Sequence, residues 1–345
     1  MKGRNRKIKE RRHLYTIYRK SLCGVCHPKK KKPEKKNHIS VSIKVKHSSD
    51  KEVPFEAPEN FSFIENTKEC STFFNEIRKK IPDGNRLKII IKYDLSKVRH
   101  IDFSAVVVLK AINRELFEHK ITVIGNLPND KSCKDYMVDS DFLNGMRNLA
   151  GYKYPQSPNT ESIRIEQGDG KLTIQQMKAI TNVLQHSVNH IDNSATLNPK
   201  MISLMKEICG NSIEWGGTSN KSWTVCAKFE TDRVLFVAAD LGKGILNTLS
   251  LKSFARITKN DDEILEGVFI RKYGSKSKEL NRNNGLPSIK AANDDKITKK
   301  MVVITNNVKL QFESTMKSAK FANDKSTFLG TLYSWELDLD CINNK

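Results

Sequence analysis

The feature that most constrains this chain is an apolar run that ends in an aspartate followed by two alternating glycines. The run is Val234-Leu-Phe-Val-Ala-Ala239, and it continues directly into Asp240-Leu-Gly-Lys-Gly244. Six consecutive apolar residues predict a buried strand. The glycines remove Cβ atoms where a ligand or another backbone comes close, and they permit positive φ angles. The segment therefore fits either an ordinary strand-ending turn or a nucleotide pocket in which Asp240 accepts from an adenine amino group.

Length and composition limit the class of protein. A chain of 345 residues is long enough for two domains and a tail. No apolar run approaches the roughly 20 residues that span a bilayer, and the N-terminus lacks an apolar signal core. Seven cysteines, an odd number, favour a reducing compartment over a disulfide framework. We therefore predict a cytoplasmic protein with no membrane partner.

Residues 1–47 form a basic arm. They hold seventeen lysines and arginines against two acidic residues, a net charge of +15 out of +21 for the whole chain. Such a segment buries too little apolar surface to fold alone, so it predicts either a solvated tail or a nucleic-acid-binding arm. Within it, Cys23, Cys26 and His27 have the spacing of half a zinc site, and no second pair follows at a suitable interval.

Residues 48–155 are predicted to form a small α/β domain. Amphipathic periodicity, turn residues and apolar runs predict alternating helices and strands. The predicted helices cover residues 67–81, 105–119 and 135–149, and the predicted strands cover 87–95 and 121–124. This alternation is typical of a compact α/β module.

Three short sequence segments of this module resemble the STAS (sulfate transporter and anti-anti-sigma) domain. The likeness lies in Tyr93-Asp-Leu-Ser-Lys-Val98, Ile101-Asp-Phe-Ser-Ala-Val106 and Tyr136-Met-Val-Asp-Ser-Asp-Phe-Leu143. In signalling members of that family, a serine directly after the aspartate accepts phosphate. Here Phe103 follows Asp102, and Ser104 comes one position later. The resemblance therefore implies a protein-docking module more than a phosphorylated one.

Residues 160–345 are predicted to form a second domain. Helical periodicity covers 172–191, and Asn198-Pro199 predicts an N-cap followed by proline at the first helical position. The helix that starts there has an apolar face, and Glu207, Asn211 and Glu214 lie along a separate stripe. Two strands, 222–229 and 234–240, predict a hairpin around Thr231-Asp232. The closing strands are predicted over 301–304, 309–312 and 330–337.

The polar stripe of this helix has two interpretations. Such a stripe is usually solvated surface. Alternatively, Asn211 can offer a neutral oxygen to Mg²⁺, which prefers hard oxygen ligands. Glu207, one turn earlier, can then orient and deprotonate a water molecule.

The order of motifs in this second domain resembles the histidine-kinase-like, or Bergerat-fold, ATPases. The first helix box is Glu207-Ile-Cys-Gly-Asn211, the adenine box is Asp240-Leu-Gly-Lys-Gly244, and the lid box is Asn284-Gly-Leu-Pro287. Phe328-Leu-Gly-Thr-Leu332 is similar to the family's late Gly-Thr strand. The implied fold class is α/β and α+β: a STAS-like domain and a Bergerat-fold α/β sandwich behind a basic arm.

The resemblance also implies roles for individual residues, with ATP and Mg²⁺ as the cofactors. Glu207 would be the general base, Asn211 would bind Mg²⁺ and ATP, and Asp240 would recognise adenine. The remaining ATP-binding positions would be Gly242, Gly244, Gly285 and Leu286. The chain departs from the family at Trp215, where a histidine is common, and at Asn283-Asn284, where many members carry another glycine. No helical hairpin with a phosphoacceptor histidine precedes the domain, which argues against a two-component histidine kinase.

Three functions remain open from the sequence. The first is an ATP-dependent switch with slow ATPase activity. The second is a serine kinase of the anti-sigma type acting on a STAS-like partner. The third is a non-catalytic adaptor or nucleic-acid-binding protein. The expected partners are ATP, a protein bound through the STAS-like domain, nucleic acid bound through the arm, and a second copy of the chain.

Overall fold

A computed structural model describes the chain from residue 51 onward. The described residues are 51–81, 89–140, 142–143, 146–154, 163–169, 172–215, 222–249, 259–271, 285–313, 315–323 and 327–344. The basic arm and the half zinc site at Cys23, Cys26 and His27 lie outside these ranges. So does most of the expected boundary between the two domains.

The first module, residues 51–154, contains short parallel sheets and three helices. Its elements are β1 (Lys51–Glu56), β2 (Asn60–Phe61), α1 (Thr67–Arg78), β3 (Ile89–Asp94), β4 (His100–Ile101), α2 (Phe103–Glu118), β5 (Thr122–Gly125) and α3 (Lys131–Asp139). Strands β1, β3 and β5 form a parallel sheet in that order, and β2 pairs with β4. The strand–helix alternation predicted for this module is confirmed.

The predicted position of the third helix of this module was wrong. The sequence predicted residues 135–149, whereas α3 begins at Lys131 and ends at Asp139. The reason is an N-cap that the periodicity did not reveal: Asp130 accepts a hydrogen bond from the Cys133 N–H at 2.9 Å. Strand β1, which contains Pro54, was also missed.

The second module is built on one large sheet. Its elements are β6 (Ile163–Asp169), α4 (Ile174–Ile191), α5 (Pro199–Trp215), β7 (Ser222–Phe229), β8 (Arg233–Asp240), α6 (Ile245–Thr248), α7 (Asp261–Phe269), α8 (Gly285–Asp294), β9 (Lys299–Asn306), β10 (Val308–Phe312), β11 (Met316–Lys320), β12 (Phe328–Asp338) and α9 (Leu339–Asn343). Seven strands pair in the order β11-β10-β9-β12-β8-β7-β6, each antiparallel to its neighbour.

Two local predictions in this module are confirmed. Strands β7 and β8 form the hairpin around Thr231-Asp232. Helix α5 begins at Pro199, and the Asn198 side chain accepts from the Lys200 N–H at 2.9 Å. The edge strands β6 and β11 were not predicted.

Both faces of the large sheet are covered. On β8, Val234, Phe236 and Ala238 face one core, which they share with helices α4, α5, α7 and α8. Val237 and Ala239 point to the opposite face, as the two-residue period of a strand requires. There they join a core that includes residues of α1 and α2 from the first module. The sheet is therefore a middle layer, and the architecture is mixed α/β as expected from the sequence.

Among the helices of the described ranges, none combines the length and hydropathy needed to cross a membrane.

Candidate functional site

The end of β8 places a buried carboxylate beneath α5. Asp240 follows Phe236 and Ala238 on the face of the sheet that α5 covers, and its side chain is buried. Asp240 Oδ1 accepts a hydrogen bond from the Gly242 N–H at 2.8 Å. The carboxylate therefore folds the following loop back over the strand end, and its position is fixed by the backbone that it caps.

The neighbouring strands hold Asp240 from both sides. It lies opposite Trp223 on β7 and opposite Thr331 on β12. Just before Thr331, Gly330 has a φ of +150°, and a Cβ at that position would overlap the Asp240 carbonyl oxygen. A side chain there would push β12 away from β8, so the predicted Gly-Thr strand has a geometric reason for its glycine.

The loop after Asp240 is anchored by two residues that the sequence analysis missed. Thr305 Oγ1 accepts from the Ile245 N–H at 2.9 Å. Asn306 accepts from the Leu246 N–H at 3.0 Å and donates through Nδ2 to the Lys243 carbonyl at 2.9 Å. Both residues stand at the end of β9, about sixty positions later in the chain. A Thr-Asn pair after an apolar strand was the available sequence signal, but it is common in turns.

Helix α5 brings two further predicted residues to the same side of the sheet. Its apolar residues Met201, Leu204, Met205 and Ile208 are buried as predicted, while Glu207 and Asn211 are half-buried. The first residue of α8, Gly285, approaches them closely. A Cβ at position 285 would lie 2.5 Å from Glu207 Oε2 and 3.3 Å from Asn211 Oδ1.

The hydroxyl of Tyr333, on β12, lies close to both Asn211 and Asp240. Burial raises the pKa of its phenol far above the usual value, the negative Asp240 raises it further, and Asn211 lowers it. The hydroxyl therefore lies within electrostatic reach of both residues. Yet the Tyr333 hydroxyl and Asn211 Nδ2 have no partner of hydrogen-bonding geometry, and neither has the buried Trp223 Nε1. Buried donors of this kind are rare in native proteins, where a bound water or another polar group usually satisfies them.

The site residues predicted from the sequence are thus placed in two groups. Glu207, Asn211 and Gly285 converge directly, and Asp240, Gly242 and Gly244 form the anchored loop. Leu286 is half-buried and packs against the core under α5 and α8. Asn283, Asn284 and the rest of the expected lid lie outside the described residues.

In the first module, Asp102 of the STAS-like motif has a structural role. Asp102 caps α2 by accepting from the Ala105 N–H at 2.7 Å, and it also accepts from Ser62 Oγ and the Ile64 N–H. Ser104 is buried. In this conformation a kinase cannot reach its hydroxyl.

The described part of the chain contains neither a cluster of typical metal ligands nor a disulfide. No group of three or more His, Cys, Asp or Glu residues there is arranged to bind a metal ion. The five described cysteines are buried and form no disulfide. Burial raises the pKa of the Cys209 thiol to about 12, so this residue of α5 stays protonated near neutral pH.

Comparison with known proteins gives no family assignment. No protein-family model matches the chain, and no curated protein matches it.

Proposed function

We propose that this chain binds ATP at a site of the histidine-kinase-like type, hydrolyses it slowly, and uses the nucleotide state as a switch for macromolecular partners. The observation that carries the proposal is the convergence of three distant motifs. Glu207 and Asn211 meet Gly285, and Asp240 ends β8 on the face of the sheet that α5 covers. These segments are separated by tens of residues, so local structure alone does not bring them together.

The base-binding part of the site rests on Asp240. A carboxylate can accept several hydrogen bonds. Asp240 can therefore hold the Gly242 N–H, as it does here, and accept from an adenine amino group at the same time. The unsatisfied hydroxyl of Tyr333, on the neighbouring strand β12, would give this part of the site a further polar group.

The phosphate-binding part rests on α5 and the start of α8. Asn211 Oδ1 would hold Mg²⁺, which keeps most of its ligands as waters and phosphate oxygens. When bound, the ion would neutralise charge on the phosphates. Glu207 would accept a proton from the attacking water. Gly285 and Leu286 would place the first N–H groups of α8 toward phosphate oxygens.

The layered fold supports the domain part of the proposal. The parallel β1-β3-β5 sheet with its helices supports a STAS-like module, and the large sheet covered by α5 and α8 supports a Bergerat-type sandwich. The buried Ser104 favours a switch over a kinase that phosphorylates its own first module. Transfer to a separate protein is tested by incubating the chain with labelled ATP and a STAS-domain substrate.

The decisive experiment is ATP binding by purified full-length protein, measured by calorimetry. Asp240→Asn keeps an oxygen for the Gly242 N–H but loses the negative charge, so we expect ATP affinity to fall at least about tenfold, or about 1.4 kcal/mol. Asp232→Asn, at the exposed turn of the same hairpin, is the matched control and should bind like the wild type. Equal ATP affinity in the Asp240 variant and the wild type would refute the assignment.

A further inference from the structure

One side chain of the first module reaches the loop that follows Asp240. Arg78 is the last residue of α1. Its Nη2 donates to the Leu241 carbonyl at 2.9 Å, and its Nη1 donates to the Leu329 carbonyl at 2.9 Å. Leu241 directly follows Asp240, and Leu329 directly precedes Gly330. A single guanidinium therefore binds the backbone just after β8 and near the start of β12, next to the contact between Gly330 and Asp240.

The orientation of this guanidinium is fixed from within the first module. Glu115, on α2, accepts from Arg78 Nε at 2.7 Å and from Nη2 at 2.9 Å. The two side chains are only 13% and 18% exposed, so solvent screens the pair less than a surface ion pair. A bidentate Arg–carboxylate pair defines a plane, and the remaining donors of Arg78 then point at the two carbonyls.

Other hydrogen bonds cross the same interface without touching the loop. Lys309 donates to the Ile64 carbonyl at 3.0 Å, and Asn75 donates to the Thr327 carbonyl at 2.5 Å. They join the modules as Arg78 does, but neither bonds to the loop that follows Asp240. Removing one of these hydrogen bonds is therefore a control: it weakens the interface between the modules without removing a bond to the loop.

We propose that Arg78 is a positioning residue for the nucleotide site. By donating hydrogen bonds to the Leu241 and Leu329 carbonyls, Arg78 holds the end of β8 in place. This fixes the position of Asp240 and of the loop that runs to Gly244. The first module is then a structural part of the nucleotide site, and a partner that displaces α1 lowers nucleotide affinity. The identity of the ligand rests on the proposed function, but the hold of Arg78 on the loop does not.

The test compares full-length Arg78→Ala, Arg78→Lys, Glu115→Gln and Lys309→Ala by hydrogen–deuterium exchange without nucleotide. The reporter amides are those of Gly242, Ile245 and Leu246, whose hydrogen bonds hold the loop. Strand β7, which is paired on both sides and contains none of the substitutions, reports global opening. We expect Arg78→Ala to speed exchange of the loop amides about tenfold relative to β7. Arg78→Lys should recover part of the protection because it keeps one cationic donor. Lys309→Ala should leave the loop unchanged.

ATP affinity of the same variants supplies the second measurement. We expect Arg78→Ala to weaken binding about tenfold, a typical coupling between sites, and Glu115→Gln to weaken it less because the guanidinium remains. Loop exchange that is the same in Arg78→Ala and Lys309→Ala would overturn the inference. If the wild type binds no ATP, the proposed function fails, while the exchange data still decide whether Arg78 holds the loop.

Discussion

The backbone of Gly330 passes so close to the carbonyl oxygen of Asp240 that a side chain at position 330 would occupy the same space. This contact joins the last long strand of the chain to the end of β8. It also fixes where Thr331 lies beside the Asp240 carboxylate. The position of the strand end at Asp240 therefore depends on a glycine ninety residues further along the chain.

Gly330→Ala should destabilise the protein through both strain and overlap. Its φ of +150° is unfavourable for a residue with a Cβ, and together with the clash we expect a loss of about 3 kcal/mol in the free energy of unfolding. Gly151→Ala is the matched control, because Gly151 also has a positive φ but has no atoms near its missing Cβ. It should cost only about 1 kcal/mol. Urea denaturation of both variants measures the difference, and equal losses would contradict the proposed close approach.

Gly285→Ala should reduce ATP turnover without unfolding the protein. The new Cβ would meet the end of the Glu207 side chain at 2.5 Å. Because that side chain is flexible, the carboxylate moves away rather than the helix. Gly210→Ala, within α5 and with open space around its missing Cβ, should stabilise the protein by about 1 kcal/mol and leave turnover intact. A phosphate-release assay alongside thermal unfolding separates the two effects, and normal turnover in Gly285→Ala would argue against the site.

Glu207→Gln should separate ATP binding from hydrolysis. The amide keeps the size of the carboxylate but cannot accept a proton from water, so we expect turnover to fall about 10²- to 10⁴-fold with ATP affinity nearly unchanged. Lys206→Ala, at the exposed neighbouring position of α5, is the control. Calorimetry and single-turnover hydrolysis are the measurements. A parallel loss of binding would show that Glu207 has a structural role instead.

The stability of the first module should depend on pH through Asp94. A hydrogen bond from Asn126 Nδ2 at 2.7 Å, with another from the Ser96 N–H, lowers the pKa of Asp94. A lowered folded-state pKa means that the stabilisation is present above the unfolded pKa of about 3.9 and is lost as pH falls through the folded pKa. The stability difference between wild type and Asp94→Asn should therefore shrink below about pH 4. Urea titrations at several pH values test this, and a constant difference would contradict it.

The sequence analysis predicted those helices and strands whose position is determined by residues within a few positions of each other. The apolar run before Asp240 gave β8, and Asn198-Pro199 gave the start of α5, because strand burial and capping act within a few residues. Residues that bond to a distant part of the chain could not be recognised from a local sequence pattern. Thr305 and Asn306 anchor a loop sixty residues earlier, and Arg78 reaches across more than 160 residues to Leu241.

The same limit explains why the candidate site was only partly predicted. Glu207, Asn211 and Asp240 carry functional groups, and their spacing on a helix or after a strand was visible. The role of Tyr333 was not visible, because it depends on which strand lies beside β8. Strands β6 and β11 were missed because edge strands need not be buried on both faces.

The shared core beneath β8 has a consequence for how the chain can be divided. A fragment that starts at residue 163 would expose the apolar residues that now meet α1 and α2, including Val237, Val302 and Leu332. Exposed apolar patches of this kind drive association. The second module, although it carries every motif of the proposed site, is therefore expected to aggregate when expressed alone. Because the first module covers this apolar face, the two modules are expected to fold and unfold as one cooperative unit.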